Sequence, residues 1–378
     1  MKENLKQTID ATSTPLASIF GSGFLVIVPI LAGAVGTYSV AAMAAVCALA
    51  YAVGSVIRYN IRHTEPVLAN KPPEVTLSLE RLSDVALVIA YVISVCLYLH
   101  ILSSFVLGSL HLDSELNLNL LTSGVIIAIM VIGLTKGLGV LGSLEKWALY
   151  VTLIIIVLLI VGFAHYDWNA WRSTSGITLF KAAKHTPWEM ITIVAGTLIV
   201  VQGFETTRYL GGDFKADVRI RASRWSQIIS TLVYLVFIAV AMPIVHALNG
   251  QYDDDSLIKL AGVASGLLVA PLVIAAALSQ FSAAVADTVA ATGNMEGLTH
   301  HQMKARWGTL FVGIGALALT WSANTLEIVA IASRAFAFYY MLQCLVAATV
   351  SKSAAQRIGM LSVAAVLAFI TVFAVPAS

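Results

Sequence analysis

The chain has 378 residues, of which 59% are hydrophobic and 11% charged, with a formal net charge of +2. Soluble domains carry about 25% charged residues, so there is too little polar surface here to coat a water-soluble particle. The small net charge, with no basic arm or aromatic-basic platform, excludes a nucleic-acid partner and leaves the lipid bilayer as the expected surrounding.

Residues 1–14 (MKENLKQTIDATST) are polar, and the long apolar run after them lacks an A-x-A-like cleavage site, which argues against a removable signal peptide. A spanning helix needs about 20 mostly apolar residues. Eleven segments qualify: 15–37, 40–57, 84–110, 120–135, 145–164, 188–210, 226–247, 263–293, 307–321, 325–349 and 358–376. The third and eighth are long enough to tilt strongly. Loop 165–187, which mixes tryptophans with polar residues, is expected to hold an interfacial helix, and the basic loop 211–225 a short amphipathic one. Cys47, Cys96 and Cys344 fall inside apolar segments without CxxC spacing and read as small core residues.

Loop charge orients the bundle. With the N-terminus in the cytoplasm, the inner loops hold Arg58, Arg62, Lys71, Arg81, Lys136, Lys215, Arg219, Arg221, Arg224, Lys304, Arg306, Lys352 and Arg357. The outer loops hold only Arg172, Lys181, Lys184 and Lys259, and one of them carries Asp253, Asp254 and Asp255.

Two segments are interrupted by glycine and polar residues. Gly21-Ser22-Gly23 lies within LASIFGSGFLVIVPILAG, and Gln202-Gly203-Phe204-Glu205 lies about 180 residues later within ITIVAGTLIVVQGFETTRYLGG. Broken helices in corresponding positions of two halves point to the binding site of a secondary transporter. Gly21 and Gly23 let the backbone leave helical geometry, and the half-helix from Phe24 then aims its positive end at the gap. The alternative is that the three small residues only bring two helices close together. Glu205 sits near the middle of its segment, where an ionisable group is costly and usually functional. Its alternative is a structural role, capping a neighbouring helix or pairing with Arg208.

These two runs carry a resemblance. IFGSGFLVIVP resembles the first-helix GSG motif of the amino acid–polyamine–organocation (APC) superfamily, and VVQGFETTRY resembles its sixth-helix GF(E/D) motif. Order, spacing and segment count match an all-α, LeuT-type five-plus-five inverted repeat with helices one and six broken. The resemblance implies one transmembrane domain, with a first repeat at 15–164, a second at 188–349 and an extra helix at 358–376. It also implies a substrate site formed by Gly21, Ser22, Gly23, Phe24, Gln202, Gly203, Phe204 and Glu205.

In LeuT-type transporters a sodium site commonly lies between carbonyls ending the first half-helix and hydroxyls midway along helix eight. Carried over, the carbonyls are those of Ala17 and Phe20, and the hydroxyls those of Ser279 and Ser282, which share a helix face. The alternative is that both serines bond back to their own helix. Some proton-coupled members place a lysine inside helix five; here Lys146 sits only at its start. Asp287, two turns further along helix eight, is a cation ligand, proton relay or gate, and His100 in helix three suits proton coupling or a core role. Glu327 and Arg334, two turns apart on helix ten, are candidates for an outer ion pair or gate. Among the aromatic residues nearby, Phe204 stands beside the break.

The expected function is secondary active transport of a small organic solute, an amino acid or related amine, coupled to a sodium or proton gradient across a bacterial-type cytoplasmic membrane; the alternatives are solute exchange without ion coupling, or a channel or sensor on the same scaffold. Sodium is the one metal ion implied, as a coupling ion, and no cofactor is expected. A channel should show pore-lining rings or a repeated filter, and a sensor an attached domain; neither is present, nor is an HExxH, GxSxG or GxGD-like enzyme motif. No feature of the sequence reports the oligomeric state.

Overall fold

The computed structural model describes residues 2–21, 23–138, 144–173, 185–299 and 302–377. Ser22 and much of loop 165–187 lie outside the described residues. The fold is helical, with no strand among the described residues. In chain order the helices are α1 Lys2–Gly21, α2 Ile27–Val35, α3 Ser39–Tyr59, α4 Glu65–Ala69, α5 Glu74–Ser109, α6 Glu115–Thr135 and α7 Leu144–Arg172. They continue as α8 Pro187–Ala195, α9 Ala216–Ala241, α10 Ser256–Ala264, α11 Val269–Leu298, α12 Ala305–Thr320, α13 Thr325–Val350 and α14 Ala354–Phe373.

Every apolar segment of the sequence coincides with helix, but the count differs. Eight helical runs are long and apolar enough to cross a membrane. The remaining segments are the two interrupted ones and α12, which has 16 residues. The eighth segment is displaced along the chain, because Ser265 adopts an extended backbone that separates α10 from α11, which then runs on to Leu298. The basic stretch 211–225 forms no separate helix. Nothing between Ala216 and Ala241 breaks the backbone, so these residues simply open α9. Where an interfacial helix was expected, α7 runs on to Arg172.

Both interruptions are real breaks. The chain leaves α1 at Gly21 and resumes helix only at Ile27; the second leaves α8 at Ala195, makes a 3-10 turn over Leu198–Val201, and starts another at Phe204. Gly23 and Gly203 carry the turns with φ of +146° and +125°, a region that any side chain strains.

The two breaks pack on each other. A Cβ added at Gly23 would stand 2.8 Å from Val200 Cγ2, just before the second break. One added at Gly203 would stand 2.7 Å from the backbone nitrogen of Ile19, just before the first. Unpaired backbone groups cost several kcal/mol in hydrocarbon, and side chains from the long helices supply the missing partners. The Tyr234 hydroxyl on α9 lies 3.1 Å from the Ile19 carbonyl and 2.7 Å from the Val200 carbonyl, so its proton is shared between the breaks. Ser333 on α13 donates to the Gly196 carbonyl at 2.7 Å and accepts from the Ile199 N–H at 2.9 Å.

Around this junction lies a buried aromatic cluster. Phe24 stacks near Phe237 with ring centroids 4.2 Å apart, and Phe20 and Tyr234 flank it. The longest helix, α5, is held between α11 and α13, and α14 packs along α13.

Tyr234→Phe should lower stability by about 1–3 kcal/mol, the cost of leaving buried carbonyls short of a donor. Gly203→Ala should cost a further-reaching strain of about 1–3 kcal/mol from its backbone alone. Both are read as a fall in the thermal midpoint of the detergent-solubilised chain. An unchanged midpoint for Tyr234→Phe would show that the breaks do not depend on this hydroxyl.

Candidate substrate and ion site

A cavity of about 330 Å³ abuts both breaks. Ala17, Ser18 and Phe20 reach it from the end of α1, Thr206 and Tyr209 from beyond the second break, and Ser279, Ser282 and Asp287 from α11. Thr152 of α7 and Tyr91 of α5 complete the wall. The four residues expected to hold a coupling ion therefore line one cavity. Gly21 permits this closeness, since a Cβ there would stand 3.0 Å from Ala283 Cβ and 3.9 Å from Ser279 Oγ. Elsewhere on α11 the hydroxyls bond back along the helix, Thr288 to Ala284 and Thr292 to Thr288. Ser279 and Ser282 make no such bond among the described residues, and their hydroxyls remain open to the cavity. The cavity wall thus presents two uncharged hydroxyls on α11 opposite the end of α1.

The residues expected to touch substrate behave differently. Gly23, Phe24, Gln202, Gly203, Phe204 and Glu205 are all buried, and none lines the cavity. They form a packed layer outside the cavity wall. Phe24 belongs to the aromatic cluster on α9, which correspondingly fills the space a ligand would need beside it. Gln202 turns its amide to the Tyr98 hydroxyl at 2.9 Å. Phe204 stacks on Tyr340 with centroids 5.3 Å apart. Ser22 lies outside the described residues.

Glu205 holds this layer at its centre. One carboxylate oxygen, Oε2, accepts from the Gly203 N–H at 2.8 Å and from the Tyr340 hydroxyl at 2.7 Å. Its Oε1 has no hydrogen-bond partner among the described residues, although the side chain is fully buried. The carboxyl thus caps its own half-helix instead of pairing with Arg208. Arg208 instead donates to Glu80 at 2.8 Å and to Gln343 Oε1 at 2.5 Å. Gln343 in turn accepts from Asn60 at 2.8 Å, in a π-helical turn over Asn60–Thr64. Arg219 pairs with Glu65 at 2.6 Å and donates to the Arg208 carbonyl at 3.0 Å. This polar net fastens the half-helix after the second break to α4, α5 and α13.

Of the remaining candidates, Asp287 lines the cavity and accepts from the Ser94 hydroxyl on α5. His100 sits elsewhere, facing a second cavity. Glu327 and Arg334 serve separate ends of helices. Glu327 accepts from the Asn324 N–H at 2.9 Å in the capping box that opens α13. Arg334 donates to the Thr371 carbonyl at 2.9 Å and to that of Val372, at the end of α14. Their shared face alone suggested a pair; the unsatisfied backbone groups of two helix termini are the stronger claim on each.

Sequence reasoning passed over Tyr98, Tyr234 and Ser333. The available signal was a hydroxyl deep in an apolar helix, which needs a partner when buried; identifying that partner required the tertiary contacts.

A family model described as APC superfamily transporter matches residues 3–375. An uncharacterized protein of Aquifex aeolicus (strain VF5) is 37% identical over 350 residues, 91% of this chain and 84% of that one. Among solved structures, a mutant manganese transporter of Eremococcus coleocola superposes with a TM-score of 0.58 at 12% identity, over 97% of this chain and 85% of that one. The same transporter bound to an aromatic bis-isothiourea compound gives a TM-score of 0.58 at 13% identity, over 96% and 85%. At these identities the structures share the LeuT-type fold alone. The family match, with multi-pass apolar helices and paired breaks, establishes that the chain belongs to the APC superfamily of membrane transporters.

Proposed function

We propose that the chain is a secondary active transporter that moves a small organic solute, an amino acid or related amine, by alternating access coupled to a cation gradient. The observation that carries this reading is one cavity where both breaks meet the open hydroxyls of Ser279 and Ser282. With the N-terminus in the cytoplasm, as the Lys and Arg distribution supports, the cavity lies on the inner side, beside Thr14 and Ala148. Gln202, Phe204 and Glu205 then form the closed layer above it. The halves 15–164 and 188–349 would rock around this junction, exposing the layer first to one side and then to the other. Such a cycle explains why the substrate-set residues are packed here: the layer is the part that opens.

Sodium fits the donors at hand. Backbone carbonyls and serine hydroxyls are hard, uncharged oxygens suited to a monovalent ion. Manganese, carried by the structural relative, is not transferred to this chain. No group of three or more His, Cys, Asp or Glu side chains is placed to hold a metal ion among the described residues.

The test is uptake of a labelled panel of amino acids and amines into proteoliposomes, with sodium and proton gradients imposed separately. Ser282→Ala should raise the sodium needed for half-maximal uptake at least about tenfold, since an oxygen contact to a charge is worth about 1.5–3 kcal/mol. Wild-type uptake that ignores sodium would refute the ion site. Ala286→Phe, which adds a ring to the cavity wall, should reduce uptake at least tenfold while the protein stays monodisperse, because blocking the route removes the bound state altogether. Glu205→Gln should alter the rate or the pH profile of uptake; an identical profile would limit Glu205 to capping Gly203. Gly23 is a poor probe of binding, because its contact with Val200 makes any side chain a folding lesion.

A further inference from the structure

Where α3 packs on α9, at the end that the Lys and Arg distribution assigns to the cytoplasm, the chain buries a cation without a counter-charge. Arg58 is only 7% exposed. Its guanidinium donates to Gln227 Oε1 at 2.6 Å and Ser55 Oγ at 2.8 Å, and to the Ser223 hydroxyl and the Tyr51 carbonyl at 3.4 Å each. All four acceptors are neutral, and no acid pairs with Arg58 among the described residues. The pocket is tightly built. A side chain at Gly54 would collide with Gln227, whose amide donates to the Ala50 carbonyl at 2.7 Å. Arg224, exposed on α9, is close enough to repel Arg58, and it too pairs with no acid among the described residues. Arg62, one turn after Arg58, pairs with Asp217 at 2.9 Å, and both of these side chains are more than half exposed. Three arginines thus share one aspartate along the rim of the groove.

Hydrogen bonds orient a guanidinium but do not neutralise it, and a charge taken out of water is costly unless an opposite charge accompanies it. Arg208 and Arg219, similarly enclosed, each hold a glutamate, Glu80 and Glu65. Arg58 lacks one, and an apolar flank adjoins it. The Tyr51 ring lies under the guanidinium, 4.8 Å from its centroid, and is itself exposed, as are Ile228 and Leu232 on α9. We infer that this groove binds an anionic phospholipid of the inner leaflet. The exposed guanidiniums of Arg224 and Arg62 hold its phosphodiester, Arg58 stands behind them as a fixed positive charge, and the acyl chains lie on Tyr51, Ile228 and Leu232. Arginine forks match phosphate oxygens in pairs, and an exposed pair such as Arg62–Asp217 is weak enough to give way to one. A basic pocket between spanning helices at headgroup depth is the setting in which such lipids are held. Free phosphate would use the arginines and leave the apolar flank bare, so the lipid is the occupant that this surface fits. The site stands apart from the cavity and from the proposed transport.

The experiment is native mass spectrometry of the full-length chain released from mixed micelles of dioleoylphosphatidylglycerol and dioleoylphosphatidylcholine. The chains of the two lipids are identical, so the ratio retained reports the headgroup alone. The wild type should favour the anionic lipid at least about tenfold. Arg224→Gln should cut that ratio about fivefold, the worth of one arginine at an anionic membrane surface, and adding Arg62→Gln should cut it further. Both positions are exposed, so these variants fold whatever Arg58 does for packing. Arg58→Gln should lower the ratio too, with Arg58→Lys restoring part of it; an Arg58 that serves packing alone would shift the thermal midpoint and leave the ratio unchanged. Lys304→Gln with Arg306→Gln, exposed basic positions elsewhere on the same face, should have no effect. Equal retention of the two lipids, or a ratio indifferent to Arg224 and Arg62, overturns the site. So does an equal fall in the Lys304/Arg306 variant, which would mean a diffuse basic surface, or displacement of the lipid by inorganic phosphate, which would mean a free-anion site.

Discussion

The structure depends on how two interrupted helices satisfy their backbone where no water is available to do so. Tyr234 is the central answer, one phenol on α9 reaching a carbonyl from each break. Ser333 and Glu205 serve the second break in the same way. Irregular backbone survives at membrane depth only when protein buries it or it lines a cavity, and here both conditions hold on opposite sides. The packed side is the layer of Phe204, Tyr340, Gln202 and Tyr98; the open side is the wall of Ala17, Phe20 and Thr206.

This geometry divides labour among residues that look alike in sequence. Glu205, Asp287, Glu80 and Glu327 are all acids within or beside apolar segments. Glu205 caps a half-helix, Asp287 faces the cavity beside Ser94, Glu80 anchors Arg208, and Glu327 opens α13. None of these roles follows from hydropathy. Each follows from which backbone groups lack partners nearby.

The positions of the breaks were legible because glycine and a carboxyl are conspicuous in an apolar run. The hydroxyl pair on α11 was implied instead by the resemblance to LeuT-type transporters, and its place in the cavity wall came from the tertiary structure. What lay beyond reach was pairing across long sequence separations. Tyr234 and Ile19 are 215 residues apart, and Arg208 and Gln343 are 135 apart. The local pattern instead offered Arg208 as one alternative partner for Glu205, and Arg334 for Glu327, both at helical spacing. Tertiary neighbours overrode both. The split between α10 and α11 was hidden for a related reason, since Ser265-Gly266 interrupts the helix without interrupting hydropathy.

The mutual contact of Gly23 with Val200 and of Gly203 with Ser18 and Ile19 has a mechanical consequence. Each break fills the hollow left by the other, so neither can be re-angled while its partner stays still. The pair therefore works as one universal joint, with Tyr234 as its pin. A lesion on either side would be felt by both arms at once, and relief could come only from the facing segment. Paired changes at Gly203 and Ser18 should accordingly show large, non-additive coupling, unlike changes placed at the distant helix ends.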